Sequence, residues 1–213
     1  MEIITPYYCK SGITIYCGNC LNILPTLQSS NPITTLITDP PYPNNANHFI
    51  ESIEVAKRVL LLYYWEQVIT FWTEIENPVV NLPLVAKHIW HRTNSNRPDN
   101  YEAIYQYDIN GVKRASKVFP FCVIYPGLTG IKATGHPTEK HVGLMKELVT
   151  LTTGTAIDPF MGSGTTLVAA KELGREAIGI ETDERWCSIA AKRLEQDVFN
   201  FNYTSTDTQP KLW

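Results

Sequence analysis

The chain has 213 residues, of which 44% are hydrophobic and 18% charged, which is enough apolar material to bury a core and excludes a disordered or acidic solvating segment. The longest apolar run, residues 59–64, is far shorter than the roughly 20 residues that span a bilayer. The N-terminus lacks the basic and apolar pattern of a signal peptide, and the odd number of scattered cysteines favours a reducing compartment. We therefore expect a soluble, cytoplasmic protein without membrane contact.

The net charge of −3 does not indicate a nucleic-acid-binding domain, but the charge is unevenly distributed. Residues 111–146 contain six lysines and arginines against one acidic residue, Glu139, whereas both flanking regions are acidic. Such a segment concentrates positive potential where a polyanion could dock. A solvated loop that carries basic residues by chance is an equally good interpretation of the charge alone.

Short β-branched or aromatic runs alternate with segments of helical periodicity, which is typical of an α/β fold. In chain order the pattern predicts a strand at 13–17, a helix at 20–27, a strand at 34–38, a helix at 48–59, strands at 67–72, 87–91 and 103–107, a helix at 140–151, a strand at 155–158, a helix at 165–173, a strand at 176–180 and a helix at 183–197. The punctuation by Asn, Ser, Pro and Gly predicts a loop-rich segment at 92–134. We expect one domain over residues 1–202 and a flexible tail at 203–213.

The sequence DPFMGSGTT at 158–166 lies between a predicted strand and a predicted helix. Its glycines allow a sharp turn and a close approach to a ligand, and the helix N-terminus offers free N–H groups. In doubly wound sheets, such a turn is where an adenosyl or dinucleotide ligand lies, and a carboxylate about 20 residues later accepts the ribose hydroxyls. Glu181 stands at that distance. No lysine follows the second glycine, which argues against a triphosphate site.

The sequence TDPPY at 38–42 follows a predicted buried strand. The prolines end the strand, so the carboxylate of Asp39 and the carbonyl of Pro40 are held at fixed angles as hydrogen-bond acceptors. Tyr42 offers a flat face on which a base could stack. Two acceptors around an amino group favour the tetrahedral nitrogen that can attack an electrophile, so this motif predicts chemistry on a planar amine. A proline-rich turn without catalytic function is the alternative.

With these two motifs the chain resembles the amino-directed DNA methyltransferases, which use S-adenosylmethionine and modify N6 of adenine or N4 of cytosine. TDPPY resembles their catalytic motif and DPFMGSGTT their cofactor motif, in the permuted order of the beta arrangement. Three further stretches are similar to family segments: GNCLNILPTL at 18–27, GHPTEKH at 135–141 and AIGIETDERWCSIAAKRL at 177–194. The resemblance covers most of the chain except about 73–86 and the tail. It implies a Rossmann-like methyltransferase fold with a mixed, mostly parallel sheet.

The resemblance also implies roles for individual residues. The pocket for the target base would be formed by Asp39, Pro40, Pro41 and Tyr42. The cofactor would be bound by Asn19, Thr138, Lys140, Asp158, Phe160, Gly162, Ser163, Gly164 and Glu181. Within this set, Thr138 and Lys140 would reach the methionine carboxylate of the cofactor, and Glu181 the ribose.

Two residues depart from the family pattern. Asn19 stands where the family usually has aspartate, so the affinity for the adenine of the cofactor is expected to change. His141 replaces a proline, which is expected to loosen the loop that holds Lys140.

These features predict an enzyme that methylates an exocyclic amino group in double-stranded DNA after base flipping. N6 of adenine is preferred, because relatives acting on N4 of cytosine more often carry serine in place of Asp39. The DNA backbone would be contacted by Arg92, Lys113, Arg114 and Lys117, with residues 92–134 choosing the target sequence. Because that segment is short, we expect a short target site or the help of a second copy in a homodimer. An RNA or protein amide methyltransferase and a catalytically silent nucleic-acid-binding module are the alternatives.

The remaining candidate motifs are interpreted as structural. Cys17 and Cys20 have the spacing of a redox or zinc pair, but no second pair follows. The histidines lie too far apart in the chain to suggest one metal site, so no metal is predicted.

Overall fold

The computed structural model describes residues 4–30, 33–40, 50–73, 77–93, 100–122, 134–136 and 138–196. The strands are β1 (Tyr8–Lys10), β2 (Ile13–Cys17), β3 (Thr35–Thr38), β4 (Gln67–Trp72), β5 (Leu84–Arg92), β6 (Tyr101–Asp108), β7 (Val118–Phe121), β8 (Ala156–Asp158) and β9 (Ala177–Glu181). The helices are α1 (Cys20–Ser30), α2 (Ile50–Leu62), α3 (Val142–Thr150), α4 (Thr165–Glu172) and α5 (Glu184–Glu195). None of these helices has the length and apolar content needed to span a bilayer.

The strands of the described ranges form one mixed sheet in the order β1-β2-β9-β8-β3-β4-β6-β5-β7. The five central strands from β2 to β4 are parallel, while β1 and β6 run antiparallel to their neighbours. The carboxyl ends of β2, β9, β8, β3, β4, β5 and β7 therefore share one edge, which we call the carboxyl edge. Because β6 is reversed, it begins at the carboxyl edge and ends at the opposite one.

Helices cover both faces of the sheet. The helices α3, α4 and α5 pack on one face through buried side chains such as Leu144, Leu167 and Leu194. The helices α1 and α2 pack on the other face, where Leu24 and Val59 are buried. Since both faces of the central strands are covered, those strands contain nearly continuous apolar runs, as parallel strands do.

All twelve predicted elements are present, with their bounds shifted by a few residues. Asp183 caps α5, as predicted, because its carboxylate accepts a hydrogen bond from the Arg185 N–H at 2.8 Å. The predicted start of α2 at 48 lies outside the described residues.

Two strands were missed, β1 and β7, which form the two edges of the sheet. Strand β7 lies in the segment predicted to be loop-rich and contains Pro120. Proline cannot donate a backbone hydrogen bond and is tolerated in a strand mainly at a sheet edge, so the local sequence argued against a strand there. Only the pairing with β5 reveals it.

The helix α3 begins at Val142 and not at 140, because His141 occupies the cap position. Its Nδ1 accepts a hydrogen bond from the Gly143 N–H at 3.0 Å, and its ring stacks on Phe121 at 5.0 Å. These contacts tie His141 to the start of α3 and to β7, which argues against our expectation that it loosens this loop. The imidazole replaces the rigidity of a proline ring with a helix cap and a ring contact.

Candidate active site

The two motifs found in the sequence meet at the carboxyl edge. Strands β3 and β8 are parallel neighbours, with Thr35 opposite Ala156. At their ends, the Thr38 hydroxyl donates a 2.7 Å hydrogen bond to Asp158 Oδ1. This buried bond joins residues 120 positions apart in the chain and fixes the TDPPY segment relative to the glycine-rich turn.

Asp158 organises the start of that turn. Its Oδ2 accepts a hydrogen bond from the Thr166 hydroxyl at 2.5 Å, and its Oδ1 also accepts one from the Phe160 N–H at 3.2 Å. Burial raises the pKa of the Asp158 carboxyl to about 6, although these hydrogen bonds oppose the shift. Asp158 therefore fixes the start of the glycine-rich turn through its hydrogen bonds with Thr38, Phe160 and Thr166.

The raised pKa of Asp158 predicts a specific pH dependence of stability. The folded chain holds a proton on this carboxyl up to about pH 6, whereas the unfolded chain releases it near 3.8. The contribution of Asp158 to the free energy of unfolding is therefore present at low pH and falls by about 3 kcal/mol as the pH rises through this window. Asp158→Asn keeps the acceptor for Thr38 and Phe160 and offers an N–H to Thr166, so we expect it to abolish this loss.

Urea unfolding of both proteins between about pH 4 and about pH 7.5 measures the difference. Asp158→Asn should gain stability relative to the natural protein as the pH rises. A free-energy difference that does not change with pH would contradict a protonated, buried Asp158.

Asp39 lies directly after β3 and carries an acceptor that is not used within the described part of the chain. Its Oδ2 forms an ion pair with Lys140 Nζ at 2.7 Å. Its Oδ1 is buried and has no hydrogen-bond partner among the described residues. Burial raises the pKa of the Asp39 carboxyl, and the Lys140 ammonium opposes that shift. A buried acceptor without a partner is costly, so this oxygen is suited to a hydrogen bond from a ligand.

The other members of the TDPPY motif are only partly described. Pro40 is buried next to Asp39. Pro41 and Tyr42 lie outside the described residues, so their predicted place in the base pocket stays a prediction.

The glycine-rich turn has the backbone geometry that requires glycine. Gly162 and Gly164 have φ values of +51° and +81°. A side chain at Gly164 would also collide with α5, because a Cβ there would lie 2.7 Å from Ala190 Cβ. Ser163 between them is buried, and Phe160 is half-buried.

Glu181 at the end of β9 is held by the backbone. Its Oε2 accepts a hydrogen bond from the Gly162 N–H at 3.1 Å. Its Oε1 accepts from the N–H groups of Thr182 and Asp183 at 2.8 and 3.0 Å. Each carboxylate oxygen has two lone pairs, so Oε2 keeps acceptor capacity toward the turn.

Two aromatic side chains beside the turn were not recognised as site residues from the sequence. A Cβ built on Gly162 would lie 2.9 Å from His136 Nε2, so the imidazole sits directly against the turn. Trp186 contacts the same imidazole edge-on, with ring centroids 4.5 Å apart. Burial lowers the pKa of His136, which favours the neutral ring. The family-like stretches GHPTEKH at 135–141 and AIGIETDERWCSIAAKRL at 177–194 contain these two residues, but neither stretch indicated that they meet at the turn.

A buried ion pair links the loop before α3 to the turn, and the sequence did not reveal it. Arg193 on α5 contacts Glu139 at 3.2 Å, and both side chains are largely buried. The same guanidinium donates to the Ser163 carbonyl at 2.8 Å and to the Thr165 hydroxyl at 3.2 Å. The Thr134 N–H and hydroxyl bind the other oxygen of Glu139.

Three predicted cofactor ligands have partners within the chain. Asn19 Oδ1 accepts from the Leu21 N–H at 2.9 Å, so its amide caps the start of α1. Thr138 is exposed, and its N–H donates to His136 Nδ1 at 3.3 Å. Lys140 forms an ion pair with Asp39 of the TDPPY motif. The cofactor roles of these residues stay predictions.

The structure does not gather the predicted DNA-contacting residues at the site. Lys113 and Arg114 lie at the opposite edge, because the reversed strand β6 carries the chain there; the Arg114 N–H donates to the Val85 carbonyl at the start of β5. Lys117 lies beside the middle of β5, where its carbonyl accepts from the Ile89 N–H. Arg92 does lie at the carboxyl edge.

Within the described residues, no group of His, Cys, Asp and Glu side chains could hold a metal ion. Cys17 is exposed and Cys20 is buried at the start of α1; both are free thiols.

A model of the N6/N4 methyltransferase family, described as DNA methylase, matches residues 80–192, just over half of the chain. The chain belongs to the DNA methylase family. The match includes the glycine-rich turn and Glu181 but not the TDPPY motif. The family resemblance inferred from the sequence is thereby confirmed.

Among curated relatives, the Type II methyltransferase M2.DpnII of Streptococcus pneumoniae is 34% identical over 116 residues, 51% of this chain and 41% of that protein. The Type II methyltransferase M.HindIII of Haemophilus influenzae is 48% identical over 62 residues, 28% of this chain and 20% of that protein. The chain thus spans less than half the length of these relatives.

Solved structures support the fold. The M1.HpyAVI–SAM complex is 25% identical, with a TM-score of 0.65 over 86% of this chain and 100% of that chain. The PvuII DNA methyltransferase (cytosine-N4-specific) is 17% identical, with a TM-score of 0.65 over 90% of this chain and 89% of that chain. The predicted α/β methyltransferase fold, with its mixed and mostly parallel sheet, is confirmed.

Proposed function

We propose that this chain is an S-adenosylmethionine-dependent DNA methyltransferase that modifies an exocyclic amino group, N6 of adenine before N4 of cytosine. The observation that carries the proposal is the hydrogen bond from Thr38 to Asp158, which joins the end of the TDPPY strand to the start of the glycine-rich turn. The membership of the DNA methylase family supports the same reaction.

The residues at the turn fit S-adenosylmethionine. The open acceptor capacity of Glu181 suits a ribose hydroxyl, and Gly162 adds no side chain to the turn, where the His136 ring already lies. The cofactor supplies a methyl group on a sulfonium, which is a strong electrophile. The ring of His136 lies beside Gly162, and burial lowers its pKa, which favours the neutral ring.

Asp39 supplies the chemistry on the amine. The lone pair of an exocyclic base amine is delocalised into the ring, so the amine is a poor nucleophile. Asp39 Oδ1, which has no hydrogen-bond partner among the described residues, would accept a hydrogen bond from this amine and stabilise the positive charge that develops on nitrogen. The N–C bond would form as the methyl–sulfur bond breaks and a neutral thioether leaves, and the surplus proton on nitrogen would pass to Asp39. The Lys140 ammonium favours the ionised carboxylate and orients it through Oδ2.

The DNA target must be rotated out of the duplex to reach Asp39. Of the proposed DNA-contacting residues, Arg92 lies at the carboxyl edge. Residues 92–134 stay our proposed segment for choosing the target sequence. We also propose that the substrate is duplex DNA and that the active form is a homodimer.

The test is methylation of defined polymers. The protein is incubated with cofactor labelled in its methyl group and with duplex DNA, RNA or a protein mixture, and the nucleosides are then identified by mass spectrometry. We expect N6-methyladenine from DNA. N4-methylcytosine would keep the reaction and change the base, whereas label in RNA or protein alone would overturn the proposal.

A further inference from the structure

Lys140 lies between two carboxylates at the carboxyl edge. Its Nζ contacts Asp39 Oδ2 at 2.7 Å and Glu102 Oε2 at 3.1 Å. Glu102 is the second residue of β6 and reaches this edge only because that strand is reversed. The ammonium also lies over the rings of Phe71 and Trp90, at 4.7 and 5.3 Å from their centroids.

Glu102 is itself held in place from its other side. Its Oε1 forms an ion pair with Arg92 at 3.2 Å, and the same guanidinium donates to the Tyr101 carbonyl at 3.0 Å. The charges therefore alternate along a row of four side chains, Asp39, Lys140, Glu102 and Arg92. Only the Asp39 end of the row has a buried acceptor without a partner in the described ranges.

This arrangement makes the basicity of Asp39 depend on Glu102. Lys140 divides its attraction between the two carboxylates, so Asp39 does not receive its whole effect. The negative charge of Glu102 also raises the pKa of Asp39. A more basic carboxylate is a stronger acceptor for a charge that develops on an amine.

We infer that Glu102 is a positioning residue of the methyl-transfer reaction, which acts through Lys140 to hold Asp39 as a strong, correctly oriented acceptor; this inference rests on the proposed function. Glu102 does not touch the target amine in this scheme. The ionisable groups that act on Asp39 are Lys140, Glu102 and Asp158, whose charge interaction with Asp39 is repulsive when both are ionised.

The first measurement needs no catalysis. The protein is labelled with 13C at the aspartate carboxyl carbons, and the Asp39 signal, assigned by its loss in Asp39→Asn, is titrated by NMR in the natural protein and in Glu102→Gln. We expect the Asp39 carboxyl to titrate at lower pH in Glu102→Gln. An unchanged Asp39 titration would overturn the inference.

The second measurement is the pH profile of methyl transfer. Glu102→Gln should move the acidic limb of kcat to lower pH and reduce kcat at neutral pH about tenfold, the usual effect of weakening one charged hydrogen bond. The KM for the cofactor should stay within about twofold, since uniform binding is not affected. Glu102→Asp keeps the charge and should restore much of the natural profile.

Two outcomes separate this inference from the proposed function. A shifted Asp39 titration with an unchanged kcat profile in Glu102→Gln would overturn the positioning role alone. A natural protein that methylates no DNA would overturn the proposed function, while the titration would still test the coupling. The matched control is Glu195→Gln, which removes an exposed ion pair with Lys10 far from the site and should change neither measurement.

Discussion

Replacing Asp39 by alanine is expected to lower the rate of methyl transfer about a thousandfold, the size seen when one charge-stabilising hydrogen bond of a transition state is removed. The variant loses the buried Oδ1 acceptor, which has no hydrogen-bond partner among the described residues. Lys140 keeps Glu102 as a partner, so the fold should survive. The proposed cofactor residues Gly162 and Glu181 are untouched, and calorimetry should show cofactor affinity within about threefold of the natural value, as expected when only transition-state binding is lost.

The control for Asp39→Ala is Asp108→Ala. Asp108 is also buried and ion-paired, with Arg114 at 3.1 Å, but it ends β6 at the opposite edge of the sheet. It should lose stability without losing turnover per folded molecule. Undiminished methyl transfer by Asp39→Ala would contradict the proposed mechanism.

Replacing Arg193 by methionine is expected to reduce the free energy of unfolding by about 3 kcal/mol, because breaking a buried ion pair leaves one charge without compensation. Glu139 would stay buried with only its Thr134 hydrogen bonds. The carbonyl of Ser163 and the hydroxyl of Thr165 would lose their donor. Urea unfolding measures the effect, and the turn should also bind cofactor more weakly.

The same helix offers a control for Arg193→Met. Arg185 pairs with Asp183 at 3.5 Å and is well exposed, so Arg185→Met should cost less than about 1 kcal/mol. Adding Glu139→Gln to Arg193→Met should recover part of the lost stability, since it removes the uncompensated charge. Equal losses in Arg193→Met and Arg185→Met would show that the buried pair has no special role.

Much of the site could be predicted because its chemistry lies in contiguous motifs. Asp39 after a buried strand, and the glycines at 162 and 164 before a helix, are recognisable since strand ends and sharp turns depend on local residue types. Proline restricts the backbone dihedral angles and glycine widens their allowed range, and both effects act within a few residues. Their effects can therefore be read without knowledge of the fold.

The partners of these motifs were not predictable in the same way. His136 reaches the turn from the loop before α3, and Trp186 and Arg193 reach it from α5. The sequence marks the two stretches but not the contacts between them. The basic segment illustrates the opposite error: the charge count is right, but the reversed strand β6 carries Lys113 and Arg114 away from the site.

By itself, the sequence determined the α/β pattern, the two motifs and the family, because these depend on residue types at fixed spacing. Only the tertiary structure decided that Lys140 contacts Asp39 and Glu102. The reason is physical: an ion pair forms between groups that the sheet order and strand directions bring within a few ångströms, and neither is encoded in local periodicity.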